Sequence, residues 1–563
     1  PAANRPESVA VLVRLRALLN NRGLPLPFIA DMPLRTSPLR RYAVPSLLRL
    51  GLALGGLISV PLAAMPTASP GSPAEARAAQ ALQQARQQGP LALRQFLLAM
   101  PKGADLHMHL TGAVYAESFM AQAADDRLCV NSATLMLVSP PTDAKPACAT
   151  PNVDANQALH NQNLYDAMID ALSMRAFVPT PGHNGHDQFF ATFDHAHALT
   201  NSARHAGDWI AEVTARAAAQ NEQYLELMYT PPFAHAAALA HRLGWQDDFA
   251  AMRRQLLVNG LKDELPADRE VIAQALAQRA KNQHCDDSRT ATPGCAVQVR
   301  MLYQVLRGAP PEQVFAQTLL GFEAASSDPE WVGINFVMPE DGYLSMRDYT
   351  LQMRMLDYLH QQYPKVHISL HAGELAPGLV PPEGLRFHIR QAVELGHAER
   401  IGHGVDVMYE DQPQQLLKEM AARHTLVEIN LTSNDVILGI KGQDHPLPFY
   451  LRYGVPVALS TDDEGVSRID LTHEYVRAVQ EFNLDYPTLK QMVRNSLTYS
   501  FLPGASLWSS DGHLAAPCAS QEPGEATPSS ACHSFLHDSA KASAQWELEH
   551  RFDVFEAAPP ALN

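Results

Sequence analysis

Eight short apolar runs, at residues 104–109, 224–230, 297–305, 331–337, 366–370, 400–402, 426–430 and 455–460, constrain the fold of this chain more than any other feature. They have strand length and are bounded by turn residues, and their Val, Ile and Leu content suits strands buried on both faces. Helical periodicity recurs between them. Parallel neighbours in a sheet are reached only by crossovers, usually helical, so this alternation predicts a parallel sheet. Eight such units predict an α/β fold, a TIM (β/α)8 barrel with a long helical insertion after strand 1 and a loop insertion near the C-terminus. Active sites of that fold gather at the rim formed by the carboxyl ends of the strands.

Four of the predicted strand ends carry residues suited to binding a metal. On an extended strand His107 and His109 project to one side, whereas on a helix they would diverge by about 200°. His371-Ala-Gly-Glu374 ends the fifth run, Gly402-His403-Gly404 the sixth and Ser460-Thr-Asp-Asp463 the eighth. Neutral imidazoles with one carboxylate suit Zn2+, and His107, His109, His371 and Asp462 are the expected ligands of one zinc ion per chain. Bound zinc lowers the pKa of its water to about 7, leaving the protein to supply proton transfer and orientation. Glu374, across a glycine from His371, is placed to serve as the acid, and His403 to hold the water and take up its proton. Asp463 reaches the same pocket if the chain turns after Asp462. Asp194-His195-Ala196-His197 repeats the histidine spacing inside helical sequence, where the rings diverge, so it is not read as a ligand pair. Leu471-Thr-His473-Glu474 lacks the second histidine of a helical zinc motif.

The remaining sequence is organised around the barrel. Arginines at 36, 40, 41 and 49 precede an apolar run at 50–65. That run is shorter than the roughly 20 residues of a membrane-spanning helix. It reads as an export signal within an extension at 1–72, with no stable membrane span once removed. Residues 73–100 form a helical segment divided by Pro90, able to pack on the barrel or in a homodimer contact. The barrel is expected at 101–556, with an insertion at about 111–223 that can roof the rim, a Ser, Pro and Ala-rich loop near 505–540, and a tail at 557–563. Cysteines 129, 148, 285, 295, 518 and 532 fall into three local pairs in polar loops. Local disulfides, and so a periplasmic or secreted protein, are the simple reading, although other pairings stay open. A net charge of −16, without a basic run beyond the N-terminal segment, argues against nucleic-acid binding and leaves small polar substrates open.

Met100-Pro-Lys-Gly-Ala-Asp-Leu-His-Met-His109, His371-Ala-Gly-Glu374, Ile401-Gly-His-Gly404 and Ser460-Thr-Asp-Asp463 together resemble the adenosine deaminases, over about residues 95 to 556. The Met-Pro-Lys-Gly lead and the export signal are similar to the secreted, growth-factor-related branch. This resemblance implies zinc-dependent hydrolytic deamination of adenosine, and of 2'-deoxyadenosine, to the inosine product and ammonia. It implies that Glu374 protonates purine N1, that His403 aids the water attacking C6, and that Asp463 accepts a hydrogen bond at N7. One metal suffices, and residues 331–337 hold no lysine to bridge a second. Three positions depart from the family pattern. Thr111 stands where many members place an aspartate near the ribose 5'-hydroxyl, Met338 where a glycine offers its backbone N–H to the purine, and Glu464 where proline is common. These departures leave an adenine nucleotide or an N6-substituted adenosine open as the substrate. A secreted binding or signalling protein on the same barrel is the alternative of a different class.

Overall fold

The computed structural model describes residues 71–141, 148–509 and 512–560, so the expected export signal lies outside the described residues. Eight strands form one sheet in sequence order: β1 Gly103–His109, β2 Glu222–Tyr229, β3 Gln298–Leu306, β4 Trp331–Val337, β5 His367–Ala372, β6 Arg400–His403, β7 Leu426–Ile429 and β8 Val457–Leu459. All neighbouring pairs are parallel. A parallel bridge between Met108 and Asp462 joins the end of the last strand to the first, closing the expected TIM barrel.

Every predicted run holds a strand, with shifted ends. β8 stops at Leu459, because Thr461 leaves the ladder to donate its N–H and hydroxyl to Asp105 Oδ2, at 3.0 and 2.7 Å. Asp462 then takes a left-handed φ of 60°, and the chain enters the short helix Glu464–Ser467.

The long connection after β1 holds helices, as expected, including Gln162–Ala171, Gly185–Thr200 and Ala206–Ala219. It also holds a small antiparallel sheet of Cys129–Asn131, Leu137–Val138 and Asn152–Asp154. Strands of two or three residues carry no readable alternation, so the sequence gives no warning of them. Disulfides join Cys129 to Cys148, Cys285 to Cys295 and Cys518 to Cys532, the three local pairs.

Helices Pro73–Gln88 and Pro90–Ala99 meet at Gly89, whose φ of 108° only glycine adopts freely. They pack on the barrel's outer layer. Phe96 lies edge-on to Phe555 of the closing helix Ala540–Ala557, with ring centroids 5.2 Å apart, and Leu82, Leu93 and Leu97 are buried beside it. Each fully buried apolar side chain contributes about 1.5–3 kcal/mol, which fixes this pair of helices to the barrel. No described helix is long and apolar enough to cross a membrane.

Candidate metal centre

His107 and His109 occupy alternate positions of β1, His371 lies near the end of β5, and Asp462 sits on the turn that closes the barrel. Their ligand atoms all lie within 4.8 Å of one another, and all four residues are buried. His109 Nε2 is 3.1 Å from His371 Nε2 and 3.2 Å from Asp462 Oδ1, while His107 Nε2 is 3.4 Å from the same oxygen. Two atoms each about 2.1 Å from one ion, at roughly 90–110°, stand about 3.0–3.4 Å apart, so these spacings fit a shared cation. His107 Nε2 is buried without an aligned hydrogen-bond partner, as a ligand nitrogen awaiting a metal would be.

The opposite nitrogen of each ring is held by an oxygen on a barrel strand. His107 Nδ1 is 2.6 Å from Glu428 Oε2, His109 Nδ1 is 2.7 Å from Gln304 Oε1, and His371 Nδ1 is 2.6 Å from Asn335 Oδ1. In each pair Nδ1–H donates, which leaves the Nε2 lone pair for a metal. Glu428 is itself held by the Ser369 hydroxyl at 3.0 Å and by Arg400 Nε at 2.7 Å, and Arg400 also pairs with Glu226 at 2.7 Å.

Burial opposes charge on His107, but the close carboxylates of Asp462 and Glu428 outweigh it and push the ring up to about 10. Burial, then repulsion from His107 and His109, hold His371 well below its ordinary value. Against burial, the adjacent His107 and His109 rings keep Asp462 well below the usual carboxylate range. The cluster thus sets positive charge beside a carboxylate, a balance that a bound divalent cation would supply in its place.

Glu374 follows β5 through Gly373, whose φ is 75°. Glu340 fixes this turn by accepting the N–H groups of Gly373 and Glu374, at 3.1 and 2.8 Å, and is held by His388 Nδ1 at 2.5 Å. Burial, the Asp462 carboxylate and Glu340 together raise Glu374 well above the ordinary carboxyl value, so it carries a proton. His403 Nε2 lies 3.7 Å from Glu374 Oε1.

A chain of hydrogen bonds sets the tautomer of His403. The Leu447 N–H donates to His445 Nδ1 at 3.1 Å, so neutral His445 carries its proton on Nε2 and donates it to Asn434 Oδ1 at 3.0 Å. Asn434 then turns its Nδ2 to His403 Nδ1, at 3.0 Å. Burial, outweighing the Asp462 carboxylate, lowers His403 to about 3, so the neutral ring carries its proton on Nε2 and directs that N–H into the pocket.

The turn at Asp462 lets Asp463 face the same pocket. Burial and the neighbouring Asp462 push its carboxyl up to about 8. Gly112 makes room for it, since a Cβ there would stand 1.5 Å from Asp463 Oδ1.

Above these groups lies a cavity of about 460 Å³. Its floor includes His109, His371, Glu374, His403, Asp462 and Asp463, with His107 beneath, and Thr111 and Met338 are in its wall. Met338 has a φ of 103°, a conformation natural to glycine and strained for methionine. The helix Gly185–Thr200 lines the cavity with Phe189, Phe190, Phe193, Asp194, His197 and Thr200, so the insertion roofs the rim as expected. His195 turns away to the Leu135 carbonyl, at 3.1 Å, and Glu474 accepts from the Thr432 N–H, at 3.2 Å. The structure brings together the four residues expected to hold a metal, and beside them stand Gln304, Asn335, Glu428, Asn434, His445 and the polar half of the roof, which the sequence does not single out.

The adenosine deaminase family model matches residues 160–506. An adenosine deaminase of Clostridium perfringens is 35% identical over 135 residues, 24% of this chain and 37% of that protein. One from Klebsiella pneumoniae is 38% identical over 137 residues, 24% of this chain and 38% of that protein. The matched segment thus spans well under half the length of these relatives. Among solved structures, an N6-mAMP deaminase of Arabidopsis shares 22% identity at a TM-score of 0.47, over 73% of this chain and 96% of that one.

Proposed function

This chain belongs to the adenosine deaminase family, and on that premise we propose that it hydrolyses the C6 amino group of adenosine and 2'-deoxyadenosine, releasing ammonia. The observation that carries the reading is the meeting of the His107, His109, His371 and Asp462 donors with Glu374 and His403 beneath one roofed cavity. Those four residues would hold Zn2+, whose bound state supplies a Lewis acid that makes water nucleophilic near neutral pH.

The chain's own groups do the rest. Glu374, proton-bearing through burial and its acidic neighbours, donates to purine N1 as charge develops on the ring. His403 Nε2–H holds the attacking oxygen; its tautomer favours this over taking up a proton. Purine N7 is an acceptor, so Asp463 meets it as a donor, contrary to the acceptor role expected from the resemblance. Burial beside Asp462 keeps that carboxyl protonated below about pH 8. Phe189, Phe190 and Phe193 supply apolar surface for the base and keep bulk water off the reacting carbon.

The test is ammonia release by zinc-loaded protein from adenosine, deoxyadenosine, AMP and adenine, with metal analysis of the same sample. We expect one zinc per chain and turnover of the two nucleosides. Turnover of AMP with none of adenosine, or full turnover after the metal is stripped, defeats the proposal. We also propose that the protein is exported, which the three disulfides support. Recovery of the native chain in the cytoplasm with reduced thiols argues against it.

A further inference from the structure

The roof helix changes character along its length. Phe189, Phe190 and Phe193 face the cavity along its N-terminal and middle turns, and Asp194, His197 and Thr200 from there to its C-terminal end. From Phe190 to His197 the axis advances about 10 Å, enough to lie over a base at one end and a pentose at the other. Thr200 spends its hydroxyl on the Ala196 carbonyl, at 3.4 Å. The Asp194 carboxylate and the His197 ring have no hydrogen-bond partner among the described residues, and both are exposed to the cavity. Hydroxyl groups of a bound ligand are natural partners for a free carboxylate acceptor.

The cavity's charges point the same way. Asp194 is the one carboxylate of the described lining outside the candidate metal cluster and its proton-bearing neighbours, and that lining holds no lysine or arginine. A phosphate group would find no guanidinium or ammonium there and would meet Asp194 as a like charge.

We infer that Asp194, assisted by His197, forms a sugar-hydroxyl subsite that selects unphosphorylated nucleosides over nucleotides. This rests on the purine deaminase reading and goes beyond it, because neither residue belongs to the metal cluster or to the proton donor.

The experiment compares wild type with Asp194→Ala and Asp194→Asn on adenosine, AMP and 9-methyladenine, which has the base but no sugar. Hydrogen bonds to charged groups are worth enough that Asp194→Ala should lower the adenosine to 9-methyladenine ratio of kcat/KM about 10- to 100-fold. Asp194→Asn, which keeps an acceptor, should recover part of it. Calorimetric binding of inosine, set against 9-methylhypoxanthine, should weaken by a similar factor without any turnover. In wild type, kcat/KM for AMP should be lower than for adenosine, and the gap should narrow in Asp194→Ala. An unchanged ratio, equal losses on adenosine and 9-methyladenine, or a wild-type preference for AMP overturns the subsite while leaving the deaminase in place. Absence of ammonia from all three substrates overturns the deaminase reading and the subsite with it.

Discussion

Replacing Glu428 by glutamine isolates what one carboxylate behind the ligands contributes to the metal centre. The amide oxygen can still accept from His107 Nδ1, but the negative charge is gone. In the native chain that carboxylate lies 2.6 Å from His107 Nδ1 and 2.7 Å from Arg400 Nε, with all three side chains fully buried. Loss of a partner to a metal-binding histidine typically weakens metal affinity 10- to 100-fold, about 1.4–2.7 kcal/mol. The variant also leaves Arg400 with Glu226 as its one buried counter-charge. Unpairing a buried charge completely costs about 3–5 kcal/mol, so retaining Glu226 should keep the stability loss below that range. We therefore expect E428Q to bind Zn2+ about 10- to 100-fold more weakly in chelator competition, with a smaller shift in the denaturation midpoint of the metal-free protein. Unchanged zinc affinity accompanied by a clear loss of stability would refute the reasoning and reduce Glu428 to a packing role.

Asn434→Asp puts an acceptor against His403 Nδ1, which must then carry the proton and turn Nε2 into an acceptor. We expect kcat to fall by at least about tenfold with zinc content preserved, and an unchanged kcat discards the donor role of His403. Gly112→Ala drives a methyl group into Asp463 Oδ1, and a displacement of about 1 Å at a reacting site can cost on the order of 100-fold. Native kcat/KM in that variant would mean that Asp463 does not touch substrate. Asp463 is raised to about 8 and is needed in its protonated form, so kcat/KM should fall as pH rises through about 8 and hold below it. A profile flat well into the alkaline range contradicts the assignment.

The barrel is legible because its strands are the apolar runs themselves, and the candidate ligands because histidines and carboxylates stand where those runs end. The supports behind the ligands left a signal of another kind. Gln304, Asn335 and Glu428 are polar residues each set in an apolar stretch, at 301–306, 331–337 and 426–429, and such an interruption needs a buried partner. Only the fold reveals that the three partners are His109, His371 and His107. Asn434 and His445 gave less, since they lie on a helix and a loop whose meeting with β6 is a tertiary fact. The sequence announces the roof as an insertion, yet helical spacing spoils Asp194 and His197 as parts of a ligand pair. That argument was sound for metal binding and silent about a ligand lying along the helix.

The seam between β1 and β8 carries a consequence for how the molecule assembles. Asp105 and Thr461, bonded across it, are 356 residues apart in the chain, and the two ends of the metal cluster share that seam. A nascent polypeptide lacking its final strand can offer three imidazoles but no clasp to shut them together. The ion would act as a rivet, set last, holding the earliest-made stave of the barrel to the latest.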